Sequence, residues 1–237
     1  MRRAIFVLAT LLAAASPAAA LERNDVIAIL RDALRTDPSI LRDALQALQA
    51  DDAKREQQAA QAALTQLGSR LVDPADPVAG NPLGTVTVVE FYDTRCPYCR
   101  RMLPTHAALL EADPNVRLVF KDLPILGAAS QLEARALLAA QRQGGYFKLQ
   151  AAIMRDPSAP TRDTLRATAD RLGLDGNRMI RDLDDPVIKA RLEANIALAR
   201  DLGLDGTPAF VIGRRIIAGA AELPALQAAI AEARAAK

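Results

Sequence analysis

A chain of 237 residues with two cysteines, no tryptophan and 3% aromatic residues has room for one sizeable domain with an appendage, and it does not need disulfides for stability. Its 30 Lys+Arg stand against 28 Asp+Glu, and without Arg2 and Arg3 the two signs balance at 28 each. That neutrality, with so few rings for base stacking, excludes nucleic acid as a partner.

Arg2-Arg3, the apolar run from Ala4 to Ala15 and then Pro17-Ala18-Ala19-Ala20 have the charged, apolar and small-residue zones of a secretory signal peptide. Residues 1–20 are assigned to it, with cleavage after Ala20. The apolar run is shorter than the roughly 20 residues that a spanning helix needs. The mature protein is therefore expected to be soluble in the periplasm, an oxidising space in which two cysteines can cycle between dithiol and disulfide.

Residues 21–67 read as helical. Val26, Ile29, Leu30, Ala33 and Leu34, then Ile40, Leu41, Ala44, Leu45 and Leu48, recur at helical spacing on one face. Asp37-Pro38 marks a break, with Asp37 capping the second helix. From Gln49 to Ala63 there is no large apolar residue, so this stretch cannot anchor itself in a core. An apolar stripe without an internal partner, carried on a polar rod, points to self-association, and the segment is read as an N-terminal helical stalk that makes a homo-oligomer. Residues 68–82, rich in Pro and Gly, read as a linker.

From residue 83 the pattern predicts a strand at 86–92, a helix at 97–111, a strand at 116–121, a mainly helical stretch at 126–202, strands at 209–213 and 215–218, and a helix at 222–235. Turns inside the helical stretch are expected at Gly144-Gly145, Asp156-Pro157, Gly173, Gly176 and Asp185-Pro186. The fold class is α/β, with a helical subdomain inserted in a domain spanning 83–237.

The chemistry sits in Cys96-Pro97-Tyr98-Cys99, which follows the apolar run Val86-Thr87-Val88-Val89-Glu90-Phe91-Tyr92. A strand that feeds a helix opening on C-x-x-C places one sulfur where unpaired N–H groups and the helix dipole favour a thiolate. A second sulfur within reach can then resolve a mixed disulfide. Structural zinc needs four ligands, and His106 is the single histidine, which excludes a tetrahedral site. Cu(I) suits soft sulfur, so sequestration of copper by Cys96 and Cys99 is an alternative of a different class. Met102 is read as core, and His106 as a surface or packing residue. Arg95, Arg100 and Arg101 flank the motif and are read as solvated residues that add positive potential.

These features resemble the thioredoxin superfamily, and within it the DsbA-like secreted thiol–disulfide oxidoreductases with a helical insertion. The resemblance rests on Glu90-Phe91-Tyr92, the Cys96–Cys99 motif, the length of the insertion and Thr207-Pro208 at a late strand. The pattern Asp25-Val26-Ile27-Ala28-Ile29-Leu30 through Asp37-Pro38-Ser39-Ile40-Leu41 is also similar to the N-terminal region of suppressor-of-copper-sensitivity C (ScsC) proteins, whose members include trimeric disulfide isomerases. The resemblance implies a thioredoxin-like fold, with Cys96 as nucleophile, Cys99 as resolving cysteine and Glu90 as a buried acid that handles the proton of Cys99. It implies that Pro208 is the cis-proline facing the dithiol, that Thr207 offers backbone groups to a bound peptide, and that Pro97 and Tyr98 shape the substrate contact. It implies no cofactor. Its partners would be exported proteins with cysteines and a membrane thiol-electron carrier that resets the redox state, and the oligomer would be a trimer. Disulfide isomerisation is the expected activity, with a monomeric DsbA-type oxidase as the alternative.

Overall fold

The computed structural model describes residues 22–236, so the expected signal peptide lies outside the described residues. Nine α-helices, one short 3-10 helix and five strands occur among the described residues. The chain divides into two compact units, one ending at Lys54 and the other beginning at Arg55.

The first unit holds helix α1 (Arg23–Thr36) and the opening part of α2 (Ser39–Leu67). Asp25 accepts the N–H of Glu22 at 3.2 Å at the start of α1, and Asp37 accepts that of Ser39 at 3.0 Å at the start of α2. These are side-chain caps on otherwise orphan helix-end donors. α1 buries no residue, and Ile29, Leu30, Leu41 and Leu48 are more than half exposed.

The second unit is built on a five-stranded sheet of order β1-β3-β2-β4-β5, with β1 Val78–Gly80, β2 Val86–Tyr92, β3 Val116–Asp122, β4 Ala209–Ile212 and β5 Arg215–Ala218. β2 and β3 are parallel, and the other neighbours are antiparallel. Such a parallel pair needs a crossover, which α3 (Pro97–Ala112) supplies. β2 reads as a nearly continuous apolar run because both of its faces are covered. Val86, Val88 and Tyr92 face one core, with α3, α9 (Leu223–Ala235) and the insertion; Val89 and Phe91 face the other. The hairpin between β4 and β5 turns at Gly213, whose φ of 57° favours glycine.

The insertion consists of α4 (Ala128–Gln141), α5 (Tyr146–Arg155), α6 (Arg162–Arg171), α7 (Gly176–Asp182) and α8 (Pro186–Asp201). Their breaks fall at the turns that the sequence marks. α6 and α7 are capped by Thr161 and Asp175, which accept the N–H groups of Thr164 and Arg178. Ile188 and Leu192 of α8 join the first core, and Leu198 and Ala199 the second, so this helix ties the insertion to both faces.

Two features differ from the sequence reading. The end of the segment taken as stalk, with Ala63, Leu64 and Leu67, packs in the second core, as do Leu71 and Val72. Residues 68–82, read as linker, contribute β1, which pairs with β3 from Val78↔Val119 to Gly80↔Arg117. The physical reason is local: Leu64, Leu67, Leu71 and Val72 resume the three-to-four apolar spacing after the polar stretch, and burying them on the sheet outweighs the Pro/Gly bias of residues 73–82.

Candidate functional site

Cys96 is the residue that caps α3, and Pro97 occupies the first helical position, where its missing N–H costs nothing. Asp93 shapes the approach. Its carbonyl accepts the N–H of Cys96 at 3.0 Å, and its buried carboxylate accepts those of Arg95 at 2.8 Å and of Ile125 and Leu126 at 3.0 Å. Both cysteines are free and buried, Cys96 at 5% exposure and Cys99 at 0%. The thiol of Cys96 donates to the carbonyl of Thr207 at 3.2 Å, and the Thr207-Pro208 peptide is cis. The start of α3 thus meets the start of β4. Pro97 and Tyr98 are exposed beside this contact, and the Arg101 guanidinium lies 4.4 Å above the Tyr98 ring.

Burial pushes the Cys99 thiol far up, opposed in part by the backbone of Asp93, and the nearby Glu90 and Cys96 raise it further. A thiol so placed gives up its proton only to a group that receives it inside the site. Glu90, fully buried on β2, stands within electrostatic reach. His106 stands beside it, Nε2 to Oε2 at 3.1 Å, and is itself buried. Cys99, Met102 and His106 are all buried on α3, at the spacing of one helical face.

Two of the three arginines differ from their sequence reading, while Arg101 is exposed. Arg95 donates to the carbonyls of Pro157 and Ser158, each at 2.9 Å, and stands 3.5 Å from Glu133. Arg100 donates to the carbonyls of Thr94 at 2.9 Å and Asp156 at 3.3 Å. Both are half-buried ties between the motif and the insertion, because the loop after α5 presents bare carbonyls beside the start of α3. Glu133, whose carboxyl pKa is raised by burial, also accepts the hydroxyl of Thr94 at 2.6 Å.

The seven residues named from the sequence therefore fall in one region. Cys96 meets Thr207, which the cis peptide joins to Pro208, Pro97 and Tyr98 are exposed beside them, and Cys99 and Glu90 are buried. Sequence reasoning missed His106 as the neighbour of Glu90, Asp93 as organiser of the loop, and Glu133. The signal available for His106 was its helical spacing from Cys99.

The family of the DSBA-like thioredoxin domain matches residues 87–231. The chain belongs to this family. It is 44% identical to a thioredoxin-like oxidoreductase from Silicibacter pomeroyi DSS-3, over 70% of this chain and 95% of that one, with a TM-score of 0.67. It is 28% identical to a linker-deletion variant of Proteus mirabilis ScsC, over 94% of this chain and 100% of that one, with a TM-score of 0.68. Among curated relatives it is 32% identical over 165 residues to a Na(+)/H(+) antiporter NhaA 1 from Salinispora arenicola. The chain spans a quarter of the length of that relative, and no helix among the described residues is long and apolar enough to cross a membrane. As a member of this family it has a thioredoxin-like fold.

Proposed function

We propose that this DsbA-like protein is an exported, periplasmic disulfide isomerase that works as a homo-oligomer, with a trimer favoured. The Cys96 thiolate attacks a wrong disulfide in an exported protein, and the substrate chain lies along Thr207, Pro97 and Tyr98. A substrate thiol then displaces Cys96, or Cys99 resolves the mixed disulfide after passing its proton to Glu90. A membrane thiol carrier returns the pair to the reduced state.

The observation that carries the isomerase reading is the exposed apolar stripe of Ile29, Leu30, Leu41 and Leu48 in the unit ahead of the catalytic one. Packing such stripes together would join several dithiols and hold a misfolded chain by effective concentration. The similarity to ScsC over nearly the whole chain supports the same reading.

Reactivation of scrambled ribonuclease by the reduced protein tests it. The expected result is strong activity, abolished by Cys96→Ala, and lost together with the oligomer, by light scattering, in the double variant Leu30→Glu/Leu41→Glu. A protein that fails with scrambled ribonuclease but oxidises a reduced substrate as a monomer is a DsbA-type oxidase instead.

A further inference from the structure

Glu90 occupies the centre of an apolar row. Its register partners are Phe120 on β3 and Phe210 on β4, and the ring of His106 lies edge-on to both, at centroid distances of 5.6 and 6.3 Å. Neither carboxylate oxygen and neither ring nitrogen has a hydrogen bond among the described residues, although Nε2 and Oε2 are 3.1 Å apart. The lysine of β3 does not serve, because Lys121 sits on the other face of the sheet with Asp76 at 2.7 Å. A buried carboxylate without a counter-charge is strongly disfavoured, and His106 is the group placed to supply one.

We propose that His106 is a positioning residue that supplies the counter-charge which keeps Glu90 ionised and ready to receive the proton of Cys99. This deepens the thiol-exchange reading above and rests on it. With one proton shared between them, Glu90 and His106 are neutral together beneath a neutral Cys99. When the Cys99 proton moves to Glu90, the thiolate carries one negative charge and the pair one positive charge. The buried unit of three groups stays neutral through this transfer, and no charge enters the core from solvent. The Cys99 thiolate then attacks Cys96 Sγ in the mixed disulfide. The Cys96–Cys99 bond forms, the bond from Cys96 to the substrate sulfur breaks, and the substrate leaves as a thiolate with the electron pair. The protein dithiol is oxidised and the substrate reduced, and the pair later returns its extra proton to solvent.

The other titratable groups around the pair are Cys96 at the cap of α3 and Cys99 on it, Tyr92 on β2 and, further along the same face, Asp122 and Tyr146. The residues that β4 and α9 pack in this core, Phe210, Ile212, Leu226, Ala229 and Ile230, carry none. Without His106 no positive charge stands beside Glu90 beneath Cys99, and Cys99 must then release its proton to solvent.

Stopped-flow reaction of the reduced full chain with dithiobisnitrobenzoate tests this. Attack by Cys96 releases a first thionitrobenzoate, and attack by Cys99 on the mixed disulfide releases a second. In the wild type the second phase should be nearly independent of pH from about pH 6 to about pH 8, since the proton moves internally. In His106→Leu and His106→Gln the second phase should slow at least about tenfold and rise with pH, while the first stays within about threefold. Should the Leu variant fail to fold, the Gln variant, which keeps a polar donor without a charge, decides alone. An unchanged second phase in the Gln variant overturns the counter-charge role, whatever the Leu variant does. If the wild type itself releases no second equivalent, the thiol-exchange reading fails, and this role fails with it.

Discussion

The hydroxyl of Tyr146 lies 3.0 and 3.1 Å from the two carboxylate oxygens of Asp122 and donates to them, at the end of the strand next to the one that feeds the dithiol. Tyr92 joins from β2, its hydroxyl 2.7 Å from that of Tyr146. This small polar network links the sheet to the insertion.

Burial pushes the Asp122 carboxyl up to about 7, with the tyrosine hydroxyls and Arg191 opposing the shift. Between about pH 4 and pH 7 the folded protein therefore holds a proton that the unfolded chain has released, so this group's contribution to stability falls as pH rises through that window. Asp122→Asn removes the effect. Urea unfolding should show the variant gaining on the wild type by on the order of 2–3 kcal/mol between about pH 5 and pH 8. A difference that stays constant with pH would sink the assignment.

Arg95 holds the motif to the insertion through two carbonyls and Glu133, whose side chain is 2% exposed. Arg95→Ala leaves those carbonyls bare and a buried carboxyl with Thr94 as its remaining side-chain hydrogen bond, and should cost about 2 kcal/mol of stability. Arg95→Lys should recover less than half of that, because an ammonium cannot span two carbonyls and a carboxylate as the guanidinium fork does. Chemical denaturation of the two variants checks it; a lysine variant as stable as the wild type would show that charge alone suffices.

Much of this arrangement is legible in the residues. β2 shows as an apolar run because both its faces are covered, α3 shows because C-x-x-C opens a helix, and the insertion breaks where Gly and Asp-Pro mark turns. What escapes is whatever depends on a partner distant in the chain. β1 has three residues, too few for any period, and exists through pairing with β3. Arg95 and Arg100 look like surface residues until the loop after α5 brings its carbonyls to them. His106 is one more helical position until β2 sets Glu90 against it, since nothing in the spacing along α3 tells which strand residue lies opposite.

The stretch read as a linker offers the plainest example of such a distant partner, and a prediction with it. Asp76, just ahead of β1, is 6% exposed, and its carboxylate meets Lys121 at 2.7 Å and Arg191 of α8 at 3.0 Å while accepting the N–H of Asp73 at 2.7 Å. Lys121 is 3% exposed, so its charge has no access to water when Asp76 is lost. Removing one partner of a buried pair typically costs about 3–5 kcal/mol, far more than the pair itself contributes over an apolar substitute. Asp76→Ala should therefore destabilise the second unit by roughly that amount. The double variant Asp76→Leu/Lys121→Met, which leaves no orphan charge on the sheet, should regain at least about half of the loss. Urea midpoints of the two variants measure this. If Asp76→Ala unfolds within about 0.5 kcal/mol of the wild type, the segment ahead of β1 is a loose tether after all, and the anchoring of the N-terminal part to the sheet must come from Leu64, Leu67, Leu71 and Val72 alone.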